Sequence, residues 1–198
     1  MKSKNDLIAQ IEKWWGAHPG GHLNSTERDF LIDMLEESTP AYCLETGTST
    51  GRSSVTILCA ANPKKHISLE LNLDLVSGGS SRAHIANLMN SFENFLCVEG
   101  DSRSILNKGF FDREYPNGVD FYFVDGGHTF EVCLSDMKLA WPYINKDGLM
   151  IVDDYRSGPP DGCHIQSVND AVHEFAKTQS ANFIRWNGNG KGCAVFRK

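Results

Sequence analysis

The chain has six cysteines, at Cys43, Cys59, Cys97, Cys133, Cys163 and Cys193, but no CxxC pair among them. That spacing gives no zinc frame, and most of the six lie in apolar stretches where cysteine behaves as a small hydrophobe. Reduced thiols and a cytoplasmic location are therefore expected. Long apolar runs are also missing: none reaches the roughly 20 residues needed to cross a bilayer, and the polar N-terminal segment has no signal-peptide core. Positive charge is in short supply, with 19 Lys plus Arg against 25 Asp plus Glu and a net charge of −6. Such a balance argues against a surface that grips nucleic-acid phosphates or an anionic membrane face. It leaves room for a small-molecule partner. There is no internal repeat and no low-complexity tract. What remains is 198 residues, 40% hydrophobic and 22% charged, which is the composition of one globular domain with a core of its own.

Periodicity divides that domain into a helical preface at 1–40 and a core at 41–198. Leu7, Ile8, Ile11, Trp14 and Trp15 recur at helical spacing over 5–16. A second helix is expected over 26–37 with Ser25 as its cap, and Pro40 ends the preface. Beyond it, short apolar runs alternate with helical patterns. Strands are expected at 42–44, 66–71, 94–98, 121–124 and 149–152. Helices are expected at 52–60, 81–91, near Ser102, and over 130–143 and 167–178. Two last strands, near 182–186 and 193–197, have only a glycine-rich turn between them and must pair antiparallel. Continuous apolar strands separated by helices define an α/β fold: a mostly parallel seven-stranded sheet, covered by helices on both faces and closed by an antiparallel hairpin.

Three features fall at the C-terminal ends of the first three strands, the rim where open α/β sheets bind ligands. The first is Glu45-Thr46-Gly47-Thr48-Ser49-Thr50-Gly51-Arg52-Ser53. Its glycines permit positive φ and close approach of a ligand to the backbone, and the next helix aims free N–H groups at that ligand. A plain strand-to-helix turn would explain it about as well. It is not the GxGxxG of dinucleotide binders, since counting from Gly47 puts Ser49 and Arg52 where the other glycines belong. The second feature is Glu70 at the end of the second strand, where an acidic side chain can accept from ribose hydroxyls; a solvated strand-end glutamate is the plain alternative. The third is Gly100-Asp101-Ser102, whose Asp101 can cap the following helix or face an adenine amino group. A phosphate loop at Gly190-Lys191 fails, because Arg185 stands where its first glycine would be.

Carboxylates close the next two strands: Asp125 in Val124-Asp125-Gly126-Gly127-His128, then Asp153 and Asp154 in Ile151-Val152-Asp153-Asp154-Tyr155. If those strands are neighbours the three repel one another, and a hard Mg²⁺-like or Mn²⁺-like cation would relieve the repulsion. Otherwise Asp153 or Asp154 caps a loop or pairs with Arg156. His128, in the same rim segment, suits general-base work or the capping of the helix that follows. Trp14, Trp15, Pro159 and Pro160 offer rigid apolar surface, so the preface and the loop at 155–164 are expected to wall the acceptor pocket as a lid, with His164 able to touch substrate. For the two tryptophans the alternative is packing of the first helix.

Taken together, these motifs resemble class I S-adenosylmethionine-dependent methyltransferases. The likeness is to the macrolide-sugar (macrocin-type) O-methyltransferases and, more distantly, to catechol-type O-methyltransferases, over roughly residues 26–197. The resemblance implies that Glu45, Gly47, Thr48, Ser49, Gly51 and Ser53 hold the methionine part of the cofactor. It implies Glu70 for the ribose, Asp101 and Ser102 for the adenine, and Asp125 beside the cofactor as well. Asp125, Asp153 and Asp154 match the family's metal carboxylates. Gly127 stands where some relatives carry a second aspartate proposed as base, which leaves His128 as the candidate catalytic base. The implied reaction is methyl transfer from S-adenosylmethionine to a hydroxyl of a small molecule, assisted by Mg²⁺ or a similar cation; a homodimer is compatible with it. Two other functions remain open. A non-catalytic cofactor-binding or scaffold protein would keep the glycines and Glu70 without needing His128 and three carboxylates. A dinucleotide oxidoreductase would need the glycines that are missing.

Overall fold

The computed structural model describes residues 3–17, 23–75, 81–155, 163–188 and 191–198. Two helices, α1 (Lys4–Ala17) and α2 (Ser25–Ser38), lead into β1 (Tyr42–Thr46), α3 (Arg52–Ala61), β2 (Lys65–Glu70), α4 (Ser81–Ser91) and β3 (Phe95–Glu99). Then come α5 (Ser102–Ile105), α6 (Lys108–Glu114), β4 (Val119–Val124), α7 (Phe130–Ala140), β5 (Ile144–Val152), α8 (Cys163–Gln179), β6 (Phe183–Gly188) and β7 (Lys191–Arg197). The seven strands form one sheet in the order β3-β2-β1-β4-β5-β7-β6. Strands β1 to β5 pair in parallel, and β7 lies antiparallel to both β5 and β6. The expected parallel sheet with a closing antiparallel hairpin is the observed one.

The period-two alternation of strand side chains separates two cores. Leu44, Tyr122, Val124, Met150 and Val152 face a cluster completed by Phe111, Met137, Val172 and Phe175. Their neighbours Cys43, Phe121, Phe123, Leu149 and Ile151 face the other cluster, completed by Leu31, Leu35, Val55, Leu58 and Leu88. Both faces of the middle of the sheet are thus buried, which is why Tyr42-Cys43-Leu44, Phe121-Tyr122-Phe123-Val124 and Leu149-Met150-Ile151-Val152 read as unbroken apolar runs.

Several boundaries differ from the sequence expectation. Asn24, not Ser25, caps α2: its side chain accepts from the N–H groups of Thr26 and Glu27, and the Glu27 carboxylate accepts in return from the Asn24 N–H. Helix α6 was not expected. Its adjacent Phe110 and Phe111 give no periodic signal, yet both are buried and Asn107 caps it. The helix expected over 130–143 stops at Ala140 and continues as a 3-10 turn over Trp141–Tyr143, where Pro142 supplies no N–H. β5 begins at Ile144, with Asn145, Lys146 and Asp147 inside it although they are polar. Its pairing with β4 shifts register between Val119 and Phe121.

Both preface helices pack on α3, and among the described residues none of the preface lines the cavity at the strand ends. Trp15 donates its indole N–H to the Arg52 carbonyl at 3.3 Å, and the Arg52 guanidinium lies 4.7 Å from the Trp15 ring centre. Trp14 lies against Phe92. Leu7, Ile11 and Trp15 bury an amphipathic stripe against this layer, so the two tryptophans pack the first helix onto the domain. Pro159 and Pro160 lie outside the described residues. Among the described residues, no helix is long and apolar enough to cross a membrane.

Candidate cofactor and acceptor site

The C-terminal ends of β1 to β5 converge on a cavity of about 680 Å³, a volume ordinary for a small-ligand site. At the end of β1 the chain turns through Gly47, at φ +88°, and a Cβ there would lie 1.8 Å from the Asp125 carbonyl oxygen. Only glycine lets β1 and β4 approach this closely at the site floor. Gly51, also at positive φ, opens α3, where a Cβ would strike Leu88 at 2.5 Å. Between them Ser49 donates its N–H to Glu70 Oε2 at 2.8 Å. Glu70, nearly buried, therefore fixes the turn from the neighbouring strand while its carboxylate lines the cavity.

Of the residues singled out from the sequence, Gly47, Ser49, Glu70, Asp101, Ser102, Asp125, His128, Asp153 and Asp154 line this cavity. Glu45, Thr48, Gly51 and Ser53 do not; they lie beneath the turn. Glu45 is fully buried on the same strand face as Cys43, where its carboxylate accepts from the Ser53 and Ser54 hydroxyls and meets His66 Nε2 at 3.2 Å. Thr48 pairs with the Ser68 hydroxyl at 2.5 Å. Strand parity explains the division: Thr46, one residue on from Glu45, projects from the opposite face and lines the cavity. Leu71, Arg103 and Val132, which the sequence did not single out, line the cavity too. Leu71 is 68% exposed. An exposed leucine directly after the strand-end glutamate was the available signal.

Asp101 caps α5 by accepting from the Arg103 N–H at 3.0 Å, and its carboxylate pairs with the Arg103 guanidinium at 2.6 Å. These bonds hold its carboxyl below the usual aspartate value. Ser102 donates its hydroxyl to Asp136 Oδ1, on α7, at 2.6 Å. Asp136 is fully buried, and burial pushes its pKa to about 6 against the opposing pull of hydrogen bonds from Ser102 and Thr46.

On the other side of the cavity Asp125, His128 and Asp154 bring one ligand atom each within 4.8 Å of one another. His128 Nε2 lies 3.4 Å from Asp125 Oδ1 and 3.2 Å from Asp154 Oδ2. The Ser167 hydroxyl of α8 donates to the His128 carbonyl at 2.5 Å, anchoring the segment. Asp153 is not in that group. Its Oδ1 accepts from the Cys193 thiol of β7 at 3.2 Å. Burial, followed by the charges of Asp125, Glu27 and Asp154, drives its pKa well above the usual range. The three carboxylates expected to act alike are thus two rim groups beside a histidine and one buried group turned toward a thiol.

This sheet order, with one cavity across the first five strand ends, defines a class I S-adenosylmethionine-dependent methyltransferase fold. The family described as a methyltransferase domain matches residues 44–155, and the chain belongs to that family. A curated relative, the uncharacterized protein R132 of Acanthamoeba polyphaga mimivirus, is 42% identical over 78 residues, which is 39% of this chain and about a third (34%) of that protein's length. Among solved structures, cofactor-bound Rv0187 from MTB superposes with a TM-score of 0.74 at 16% identity, over 97% of this chain and 89% of its own. An O-methyltransferase from Bacillus cereus in complex with SAH gives 0.68 at 16% identity, over 100% and 93%. CalS11, a TDP-rhamnose 3'-O-methyltransferase of calicheamicin biosynthesis, gives 0.66 at 15% identity, over 100% and 96%.

Proposed function

We propose that this chain binds S-adenosylmethionine across the ends of β1, β2 and β3 and transfers its methyl group to a hydroxyl of a small molecule bound beside β4 and β5. One observation carries the reading: the nucleoside-type groups Gly47, Glu70 and Ser102 and the Asp125, His128 and Asp154 group line a single cavity. In the transfer, the acceptor oxygen attacks the sulfonium methyl carbon, the carbon–sulfur bond breaks, and its electron pair returns to sulfur as a neutral thioether. The methyl is already electrophilic, so the protein's main work is in-line alignment of the two reactants. The hydroxyl proton goes to His128, whose ring lies between the Asp125 and Asp154 carboxylates.

The rim donors fit a hard divalent cation, because Asp125 and Asp154 present carboxylate oxygens within a few ångströms of each other. Asp125 and Asp154 would hold it; Asp153 would join only by giving up its hydrogen bond from Cys193. Such an ion, when bound, lowers the pKa of an acceptor hydroxyl. The imidazole is a poorer ligand for Mg²⁺ than carboxylate oxygen and stays with the proton.

A purely cofactor-binding scaffold would need the β1 to β3 side alone, and His128 between two carboxylates on the acceptor side favours an enzyme. The acceptor is a sugar or phenolic hydroxyl compound small enough for the cavity. The test is to incubate the protein with S-adenosylmethionine and a panel of such compounds, with and without Mg²⁺, and to follow S-adenosylhomocysteine. Formation dependent on an acceptor supports the proposal, and cofactor binding without turnover across the panel supports the scaffold.

A further inference from the structure

Asp136 reaches from the buried side of α7 to the turn between β3 and α5, where its Oδ1 takes the Ser102 hydroxyl hydrogen at 2.6 Å. Its carboxyl is fully buried, and Oδ2 has no close hydrogen bond among the described residues beyond the pull of the neighbouring Thr46 hydroxyl. That second oxygen faces the floor of the site, 3.1 Å from where a Cβ on Gly126 would stand, and Thr46 borders the same point. Ser102 and Thr46 both line the cavity, whereas Asp136 does not. An ionised carboxylate can only accept. As long as Asp136 is ionised, the Ser102 hydrogen is committed to α7, and only lone pairs of Ser102 Oγ are left to face a ligand.

We infer that Asp136 is a positioning residue that sets the hydrogen-bond polarity of Ser102 and thereby selects a nucleoside bearing an exocyclic amino group over its deaminated counterpart. The inference rests on the proposed cofactor reading, in which Ser102 faces the base. An adenine amino group donates to Ser102 Oγ; the carbonyl of a hypoxanthine base would present lone pairs to lone pairs. Sites with a fixed polarity reject the wrong partner because a buried polar group is left unpaired. The charged and titratable groups around Asp136 are Asp101 and Arg103 from the start of α5, Tyr122 from β4 and Cys133 on its own helix. With a carboxyl value near 6, the control is present at neutral pH and lost in mild acid, when the protonated group can itself donate to Ser102.

The probes are S-adenosylhomocysteine and S-inosylhomocysteine, titrated calorimetrically into the full chain. The wild type is expected to prefer the adenosyl compound by about tenfold or more, the worth of one such hydrogen bond. Asp136→Asn offers an amide that can turn either its donor or its acceptor to Ser102, so the preference should fall toward unity while the adenosyl compound still binds. Ser102→Ala, which leaves the buried carboxyl in place, should also abolish the preference. In the wild type the ratio should shrink as pH is lowered through about 6. An undiminished preference in Asp136→Asn or in Ser102→Ala overturns the inference and leaves the cofactor reading standing. Failure of the wild type to bind either nucleoside overturns both.

Discussion

Ser49 and Glu70 are joined by a 2.8 Å hydrogen bond from the Ser49 N–H to Glu70 Oε2. The carboxylate proposed for the ribose is therefore also the strut of the glycine turn. Glu70→Ala should weaken S-adenosylhomocysteine by roughly 1.5–3 kcal/mol, the value of hydrogen bonds to a charged group. Glu70→Gln keeps an acceptor for the Ser49 N–H, so it should unfold near the wild-type temperature and still bind the ligand less well. Calorimetric titration and thermal melts of both variants separate the two roles. Wild-type affinity in Glu70→Ala would remove Glu70 from the ligand site.

Gly47→Ala should destabilise the fold itself. The substitution adds left-handed strain and drives a methyl into the Asp125 carbonyl. A loss of more than about 3 kcal/mol in denaturant unfolding is expected, since both penalties apply at once. A wild-type unfolding midpoint would mean that β1 and β4 are not held this closely.

His128→Gln should lower the methyl-transfer rate by roughly 10²–10⁴, the usual contribution of a general base, and leave S-adenosylhomocysteine affinity unchanged. Asp154→Asn should do the same and also abolish any stimulation by added Mg²⁺. Full activity of the wild type in excess chelator would exclude the metal and leave His128 as the base of a metal-independent transfer.

Asp136 makes stability depend on pH with a definite sign. In the unfolded chain its carboxyl has the ordinary aspartate value, and in the fold burial raises it to about 6. The ionised form is therefore penalised only in the native state. The penalty is full above pH 6 and gone once pH has fallen below the unfolded value near 4. Its size at neutral pH is on the order of 3 kcal/mol, because each tenfold rise in the proton affinity of the folded carboxyl is worth about 1.4 kcal/mol. Asp136→Asn should thus be at least as stable as wild type at neutral pH, with the difference shrinking as pH falls. A variant that is much less stable at neutral pH would contradict this account of the buried carboxyl.

The sequence revealed those parts of the fold and site that depend on local chemistry. Apolar runs such as Phe121-Tyr122-Phe123-Val124 can be buried only between helices, and Gly47 and Gly51 mark a turn by their backbone freedom. Glu45 shows how a family motif can mislead about contact: its place beside Gly47 suggests a ligand-facing group, while alternation from Cys43 turns it into the interior with Ser53, Ser54 and His66. Asp153 and Asp154 are adjacent in sequence and chemically identical, and what separates them is β7, which presents Cys193 to Asp153. Asp136 gave no sequence signal because its role depends on where α7 packs against the end of β3. Tertiary placement of this kind is not encoded in any short window.

The most direct test of the central claim is calorimetric titration of the full chain with S-adenosylmethionine and S-adenosylhomocysteine, with NAD as the control. The account predicts saturable binding of both sulfur nucleosides at a single site, weakened in Glu70→Ala, with no competition from NAD. Absence of binding by either nucleoside, or their displacement by NAD, would contradict it.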